Sequence, residues 1–414
     1  MILNNVIREG VIPTRQKTIR IMHILEIPSF FPPCGGLFCL DQAKALKANG
    51  NEVRILSNVQ LSVRMGLKDF ISRTSRRHWH NLDGIEVYQS YQKGCPKVIR
   101  YNVNRWVRIV CSMFNEYVEQ YGYPDILHAH CCKWAGYAAM LISETYSKRF
   151  VPKRLPYVIT EHLPLMLLEQ EFGKAPSNAW QIALLKRAYE HADMVIPVSN
   201  ELVDDISSYY GKNYRWTYVS NTIDTEFFHY EPREPFFSRP FHFCCLADFY
   251  YRKGYDVLFP AFKKLLDSGM DVTLSIAGLN TDSRACMEMV GVNHIEDRVR
   301  VMGKLKKEEV RSLLYHSDAL VLASRSEVQP LVLLEAMSTG IPVVSTECVP
   351  QCQRIDGCYI VPIESVDKLA DAMQHVAEKN NHDGRAISNH VREMASPDVV
   401  GKKLSELFSS ILTR

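Results

Sequence analysis

Ser324 to Thr346 reads SRSEVQPLVLLEAMSTGIPVVST, and the fold is decided here. The stretch follows the apolar run Ala319-Leu320-Val321-Leu322-Ala323, which predicts a buried strand. Ser324, Arg325 and Ser326 end that run and start a loop holding Glu327. Pro330 to Ser338 predicts a helix with a proline near its first position, where a missing N–H costs nothing. Gly340 stops the helix, and Ile341 to Ser345 predicts another strand. The unit is strand, loop with Glu327, helix with Glu335, strand. In an open α/β sheet both carboxylates would face the crevice above the strand ends, where ligands bind. The plainer alternative makes one a solvated loop residue and the other helix filler. Glu335 sits between Leu334 and Ala336, and a carboxylate in so apolar a passage requires a partner.

Working outward, 414 residues predict two or three domains, each with its own core. A hydrophobic content of 46% and a charged content of 23% are those of a soluble globular chain. A net charge of +3 gives no sign of nucleic-acid binding. No apolar run is long enough for a transmembrane helix, and the first twenty residues lack the apolar core of a secretory signal. The expected location is therefore cytoplasmic. The twelve scattered cysteines read as free thiols of a reducing compartment. Cys348, Cys352 and Cys358 lie close together but lack the paired spacing of a zinc site.

The first half opens with a strand at Ile19 to Ile27, then Pro28 to Gly36, then a helix through Leu37, Leu40, Ala43 and Leu46, then a strand at Glu52 to Leu56. Gly35 and Gly36 stand where loop meets helix, allowing a ligand close to the backbone at a helix end that favours anions. A plain tight turn is the alternative, and the pattern is not GxGxxG. Eleven basic residues against three acidic ones between Arg54 and Arg108, interleaved with Phe70, Trp79 and Trp106, suit an anionic membrane surface or simply a solvated insert. The strand Pro124 to His130 ends in His128 and His130 on one face, a conceivable metal pair without an evident third ligand. The strand Leu155 to His162 also ends in a histidine.

The proline-rich, aperiodic stretch 229–240 is the expected linker. A second α/β series follows, with a strand at Phe241 to Ala247, the turn Asp248 to Gly254, an amphipathic helix, and a strand from Asp271 to Ala277 ending at Gly278. The expected division is an extension 1–18, a Rossmann-like domain 19–228, the linker, a second Rossmann-like domain 241–395 and a C-terminal helix 396–414.

Several segments, in order, resemble the retaining glycosyltransferases of family 4. They are PSFFPPCGGLFCLDQAKALKANGNEV, PDILHAH, ADMVIPVSNEL, VSNTIDTEFF, RKGYDVLFPAFKKL and the Glu327–Glu335 spacing, which is the family's EX7E pair. The resemblance spans nearly everything from about Arg20 onward.

It implies the GT-B architecture, two doubly wound α/β domains facing each other across a cleft. It also implies transfer of a sugar from a nucleotide diphosphate sugar to a glycan or lipid-linked acceptor, with retained configuration. Lys253 would contact the donor diphosphate, assisted by Gly35, Gly36 and Arg252. Glu335 would take the ribose hydroxyls, Glu327 would lie by the donor sugar, and His130 would approach from the first domain. Gly278 and Leu331 complete the implied donor site. No metal or other cofactor is implied, and no DxD motif occurs. Two departures stand out. Asp248 occupies the place of a frequent arginine, and Val328-Gln329-Pro330 replaces the usual GFG. An inert GT-B-like binding protein and a nucleotide-sugar epimerase are the alternatives.

Overall fold

The computed structural model describes residues 21–61, 76–95, 98–149, 154–163, 179–232, 239–379 and 382–413. The expected extension 1–18, the start of the first strand and part of the basic segment lie outside these residues. Two parallel-sheet bodies make up the molecule. The first contains β1 (His23–Pro28), α1 (Leu37–Ala48), β2 (Glu52–Leu61), β3 (His78–Leu82), β4 (Ile85–Lys93), α2 (Ile99–Tyr121), β5 (Ile126–His130), α3 (Tyr137–Arg149), β6 (Tyr157–Glu161), α4 (Ala179–His191), β7 (Met194–Pro197), α5 (Glu201–Asp205) and α6 (Ser207–Tyr210). Its strand order is β3-β4-β2-β1-β5-β6-β7, with only β3 antiparallel to its neighbour.

The second body contains β8 (Phe241–Leu246), a 3₁₀ turn at Tyr251–Lys253, α7 (Tyr255–Asp267), β9 (Val272–Ala277), α8 (Arg284–Val292), β10 (Val299–Val301), α9 (Lys307–Tyr315), β11 (Ala319–Leu322), α10 (Leu331–Ser338), β12 (Val343–Thr346), β13 (Cys358–Val361), α11 (Val366–Lys379) and α12 (Gly384–Ala395). Its order is β10-β9-β8-β11-β12-β13. Strands such as β5, β7, β11 and β12 are buried throughout, because helices cover both faces of a parallel sheet.

Each sheet reverses its winding once, between β1 and β5 in the first and between β8 and β11 in the second. At such a reversal the loops from two neighbouring strand ends splay apart and leave a crevice. The two crevices hold the Gly35-Gly36 loop on one side and the Lys253 and Glu327 loops on the other.

Val219 packs with the core of the first body, whereas Ile223 and Phe228 pack with that of the second. The main chain therefore crosses at residues 220–222, ahead of the proline-rich 229–240 expected as the linker. Tyr230 in that stretch already rests against Gly340 and Gly384. The last helix, α13 (Pro397–Leu412), returns to the first body. Its Val400, Leu404, Phe408 and Ile411 join Leu40, Ala43 and Leu46 of α1 in one apolar cluster. A Cβ at Gly401 would meet the Ala45 carbonyl oxygen at 2.3 Å, so the two helices touch backbone to backbone there.

Candidate active site

The β11 strand places Glu327 at its carboxyl end, and the neighbouring β8 places Arg252 and Lys253 at its own. Glu327 Oε1 accepts from Lys253 Nζ at 2.6 Å and from Ser324 Oγ at 2.7 Å, and Oε2 accepts from Arg252 Nη1 at 3.1 Å. Burial alone would raise the Glu327 pKa, but Lys253 and then Arg252 outweigh it and hold the carboxyl below its usual range. The turn carrying the cations is itself fixed. A Cβ at Gly254 would sit 1.9 Å from the Ala323 carbonyl oxygen, and its φ is 68°, so this contact requires glycine. Arg325 donates to the Tyr251 carbonyl at 2.6 Å and clamps Asp256 at 2.9 and 2.7 Å. Arg325 carries a single sequence signal for this role, a basic residue beside an apolar strand end.

Asp248 Oδ1 accepts from the Leu279 backbone N–H at 2.8 Å. It ties the loop after β8 to the loop after β9, where Gly278 lies against Ala247 and leaves no space for a Cβ. Gly278 is thus a packing position between two strand ends.

Glu335 lies on the half-buried side of α10, while Leu333, Leu334, Ala336 and Met337 face the core. Burial pushes its pKa up to about 7, against the pull of Lys307 and with Asp41 and Asp224 adding repulsion. Of these neighbours, Asp41 comes from α1 of the first body, so Glu335 feels a charge from across the cleft.

From the first body, Gly35 and Gly36 have φ of 83° and 79°, and a Cβ at Gly36 would strike the Phe30 carbonyl oxygen at 2.0 Å. No side chain caps the N-terminus of α1, although the Cys39 N–H already donates to the Gly36 carbonyl at 3.1 Å, and such a helix end favours an anion. A cavity of about 380 Å³ spans both bodies. Gly35, Gly36, Phe38 and His162 line it from one side, and Arg252, Glu327, Gln329 and Leu331 from the other. Larger cavities of about 670 and 520 Å³ touch Tyr157 and Asp193, and His242 and Thr273, at the amino ends of strands. Ligands of doubly wound sheets bind at the opposite ends.

Two sequence expectations change here. His130 is 0% exposed and does not reach the cavity wall. His162 does, because Glu161 Oε1 accepts the backbone N–H groups of His162 and Leu163 at 2.9 and 3.0 Å and turns the chain there. Trp106, expected on a basic aromatic surface, is 3% exposed and donates to the Asn58 carbonyl at 2.6 Å. In the same segment Arg54 pairs with Glu86 and Arg77 with Glu116.

The histidine pair also has a third polar partner that the sequence did not reveal. Glu26, His128 and His130 bring ligand atoms within 4.8 Å of one another, the one group among the described residues that could bracket a metal ion. Each Glu26 oxygen already has an imidazole nitrogen at 3.2 Å, so the group also closes on itself without an ion. Cys348, Cys352 and Cys358 form no such group among the described residues.

A model described as Glycosyltransferase Family 4 matches residues 36–227, and one described as Glycosyl transferases group 1 matches residues 240–379. TuaC of Bacillus subtilis, whose name assigns it to teichuronic acid biosynthesis as a glycosyltransferase, is 26% identical over 340 residues, covering 79% of this chain and 81% of that one. N-acetyl-alpha-D-glucosaminyl L-malate synthase of Bacillus anthracis is 26% identical over 297 residues, 69% of this chain and 74% of its own. Among solved structures, sucrose-phosphate synthase of Thermosynechococcus elongatus superposes with a TM-score of 0.74 at 16% identity over 94% of this chain and 99% of that one. Anabaena HepE in complex with UDP-glucose gives 0.67 at 15% identity, over 94% of this chain and 100% of that one. The fold is GT-B. Matched in turn by the two models over most of its length, the chain belongs to the family 4, group 1 glycosyltransferases and is a glycosyltransferase.

Proposed function

We propose that this glycosyltransferase moves a sugar, with retention, from a nucleotide diphosphate sugar to a glycan or lipid-linked acceptor in cell-surface polysaccharide synthesis. The observation that carries the proposal is the cavity shared by both bodies, with an uncapped helix end opposite a pair of cations. In this scheme the donor diphosphate lies between the Gly35-Gly36 loop and Lys253 with Arg252, where positive charge stabilises the leaving group as it gains charge. Arg252 takes the part of the missing arginine at Asp248. Glu335 accepts the ribose hydroxyls, and Glu327, Leu331 and His162 border the donor sugar. No protein nucleophile is invoked, and the leaving phosphate takes the acceptor's proton. No metal takes part. TuaC, named for teichuronic acid biosynthesis, supports the choice of acceptor.

Peripheral contact with the inner face of an anionic membrane belongs to the same proposal. Val98, Ile99 and Tyr101 are exposed at the start of α2, beside Arg100 and Arg105. Apolar side chains ringed by arginines suit a lipid interface.

A panel of nucleotide sugars, followed by thermal shift and nucleotide release in the presence of EDTA, tests the reading. One donor should bind and turn over, and Lys253→Ala should lower kcat/KM about 100-fold. Absence of any binding sugar nucleotide, or full activity of Lys253→Ala, would overturn it. Unchanged binding of Arg100→Glu/Arg105→Glu to phosphatidylglycerol vesicles would remove the membrane part alone.

A further inference from the structure

Three buried side chains meet at the winding reversal of the first sheet, behind the cavity. Glu26 on β1 and His128 and His130 on β5 are each 0% exposed. The strand register pairs Glu26 with His128 and Pro28 with His130, so all three side chains stand on one face of the sheet. Glu26 Oε1 lies 3.2 Å from His128 Nδ1, and Oε2 lies 3.2 Å from His130 Nε2. The first contact is a hydrogen bond. The second is not, and both of its atoms are left without a hydrogen-bond partner. Two enclosed polar atoms that approach without bonding require an explanation, and an ion between them is one.

The spacing suits an ion. Zinc ligands stand about 2.0–2.1 Å from the metal, so neighbours in a tetrahedral shell lie about 3.3 Å apart. One ligand atom from each of the three residues falls within 4.8 Å of the other two. With both Glu26 oxygens the group supplies four donor atoms, the number that a structural zinc site uses. Imidazole nitrogens select zinc and its first-row neighbours over magnesium and calcium. Each ring also has a partner for its far nitrogen, as metal-bound histidines do. His128 Nε2 is 2.7 Å from the Thr160 hydroxyl oxygen, and His130 Nδ1 is 3.3 Å from His162 Nε2. The Phe408 ring of α13 stands edge-on to His128 at 5.2 Å, so the last helix helps to enclose the group.

We propose that Glu26, His128 and His130 form a structural site for a zinc-type divalent ion that staples β1 to β5. The ion takes the lone pairs of His128 Nδ1, His130 Nε2 and the Glu26 carboxylate, and any proton on those nitrogens leaves as it enters. Sugar transfer does not pass through it, because His162 stands between the site and the cavity. Its place is at the end of β1, from which the chain runs on to Gly35 and Gly36. An enclosed ion enters as the chain folds, so the EDTA of the donor test leaves it in place.

The test uses the full chain produced in minimal medium with added zinc, with added cobalt, or with no added transition metal, then dialysed against EDTA. Elemental analysis of the zinc preparation should find about one ion per folded chain, and this preparation should melt at a higher temperature than the metal-poor one. Glu26→Gln/His130→Gln should lose the ion. Cobalt separates this site from the twelve cysteines. Nitrogen and oxygen ligands give visible d–d bands alone, whereas thiolates add strong charge-transfer absorption in the near ultraviolet. A wild type that retains no zinc overturns the proposal, as does a cobalt spectrum with thiolate charge transfer. Equal melting temperatures, or a double variant that keeps the ion, overturn it too. If the variant fails to fold, the wild-type stoichiometry and cobalt spectrum still decide. No sugar nucleotide enters these measurements, so their outcome is independent of the proposed function.

Discussion

The Lys253 ammonium sits 2.6 Å from the Glu327 carboxylate, and Arg252 shares the same carboxylate at 3.1 Å. Two cations thus meet one anion in a pocket where the Glu327 side chain is only 7% exposed, leaving a net positive charge for a ligand to neutralise. Glu327→Ala leaves the cations facing each other without their acceptor. Its stability should fall by about 1–3 kcal/mol, the cost of an orphaned buried polar group. Pyrophosphate should then raise the melting temperature of Glu327→Ala more than that of the wild type, because the anion takes the carboxylate's place. An equal shift in both proteins contradicts this coupling.

Glu335 imposes a pH dependence of the opposite kind to that of a salt-bridged carboxylate. Its folded pKa of about 7 lies above the ordinary 4.5, chiefly through burial, with Asp41, Asp224 and Lys307 as its charged neighbours. Between these values the folded chain holds a proton that the unfolded chain has released, so this group's contribution to stability falls as pH rises from 4.5 to 7. Glu335→Gln removes the titration. Its melting temperature relative to wild type should climb across that window and level off above it. A flat difference sinks the prediction.

Gly35 and Gly36 share a left-handed backbone but differ in surroundings. A Cβ at Gly35 meets nothing within 4 Å, whereas one at Gly36 enters the Phe30 carbonyl. Gly35→Ala should cost about 1–2 kcal/mol from conformation alone. Gly36→Ala must also displace the loop, and denaturant titration should show a clearly larger loss. Equal losses would mean that the loop yields freely.

Gln329 binds the Glu327 loop to the crossing segment. Its Oε1 accepts from Asn221 N at 2.7 Å and its Nε2 donates to Ser220 Oγ at 2.8 Å, while Val328 beside it packs into the core of the first body. Gln329→Ala strands the Asn221 N–H and should destabilise the chain by about 1–3 kcal/mol. It should also loosen the two bodies, seen as a larger radius of gyration in solution scattering. An unchanged radius and unchanged stability would count against the clasp.

The alternation of apolar runs with helical periodicity made two doubly wound domains legible, because strand and helix periods are local properties of the chain. The Glu327–Glu335 spacing was legible for the same reason, since one strand-loop-helix unit positions both. Gly36 and Gly254 fit this pattern too, as punctuation at loop ends whose close contacts appear only in the folded chain. The sequence alone determined the succession of elements and which residues could stand at the carboxyl ends of strands. Which of them share a site was decided by pairing across long separations. Glu26 and His128 are 102 residues apart, as are Ser29 and the Cys131 carbonyl, yet the β1–β5 register makes neighbours of them. The same register buried His130, and the turn at Glu161 brought His162 to the cavity in its place. A side chain's type is written in the sequence, but its partner is set by strand order and register, which only the packed sheet fixes.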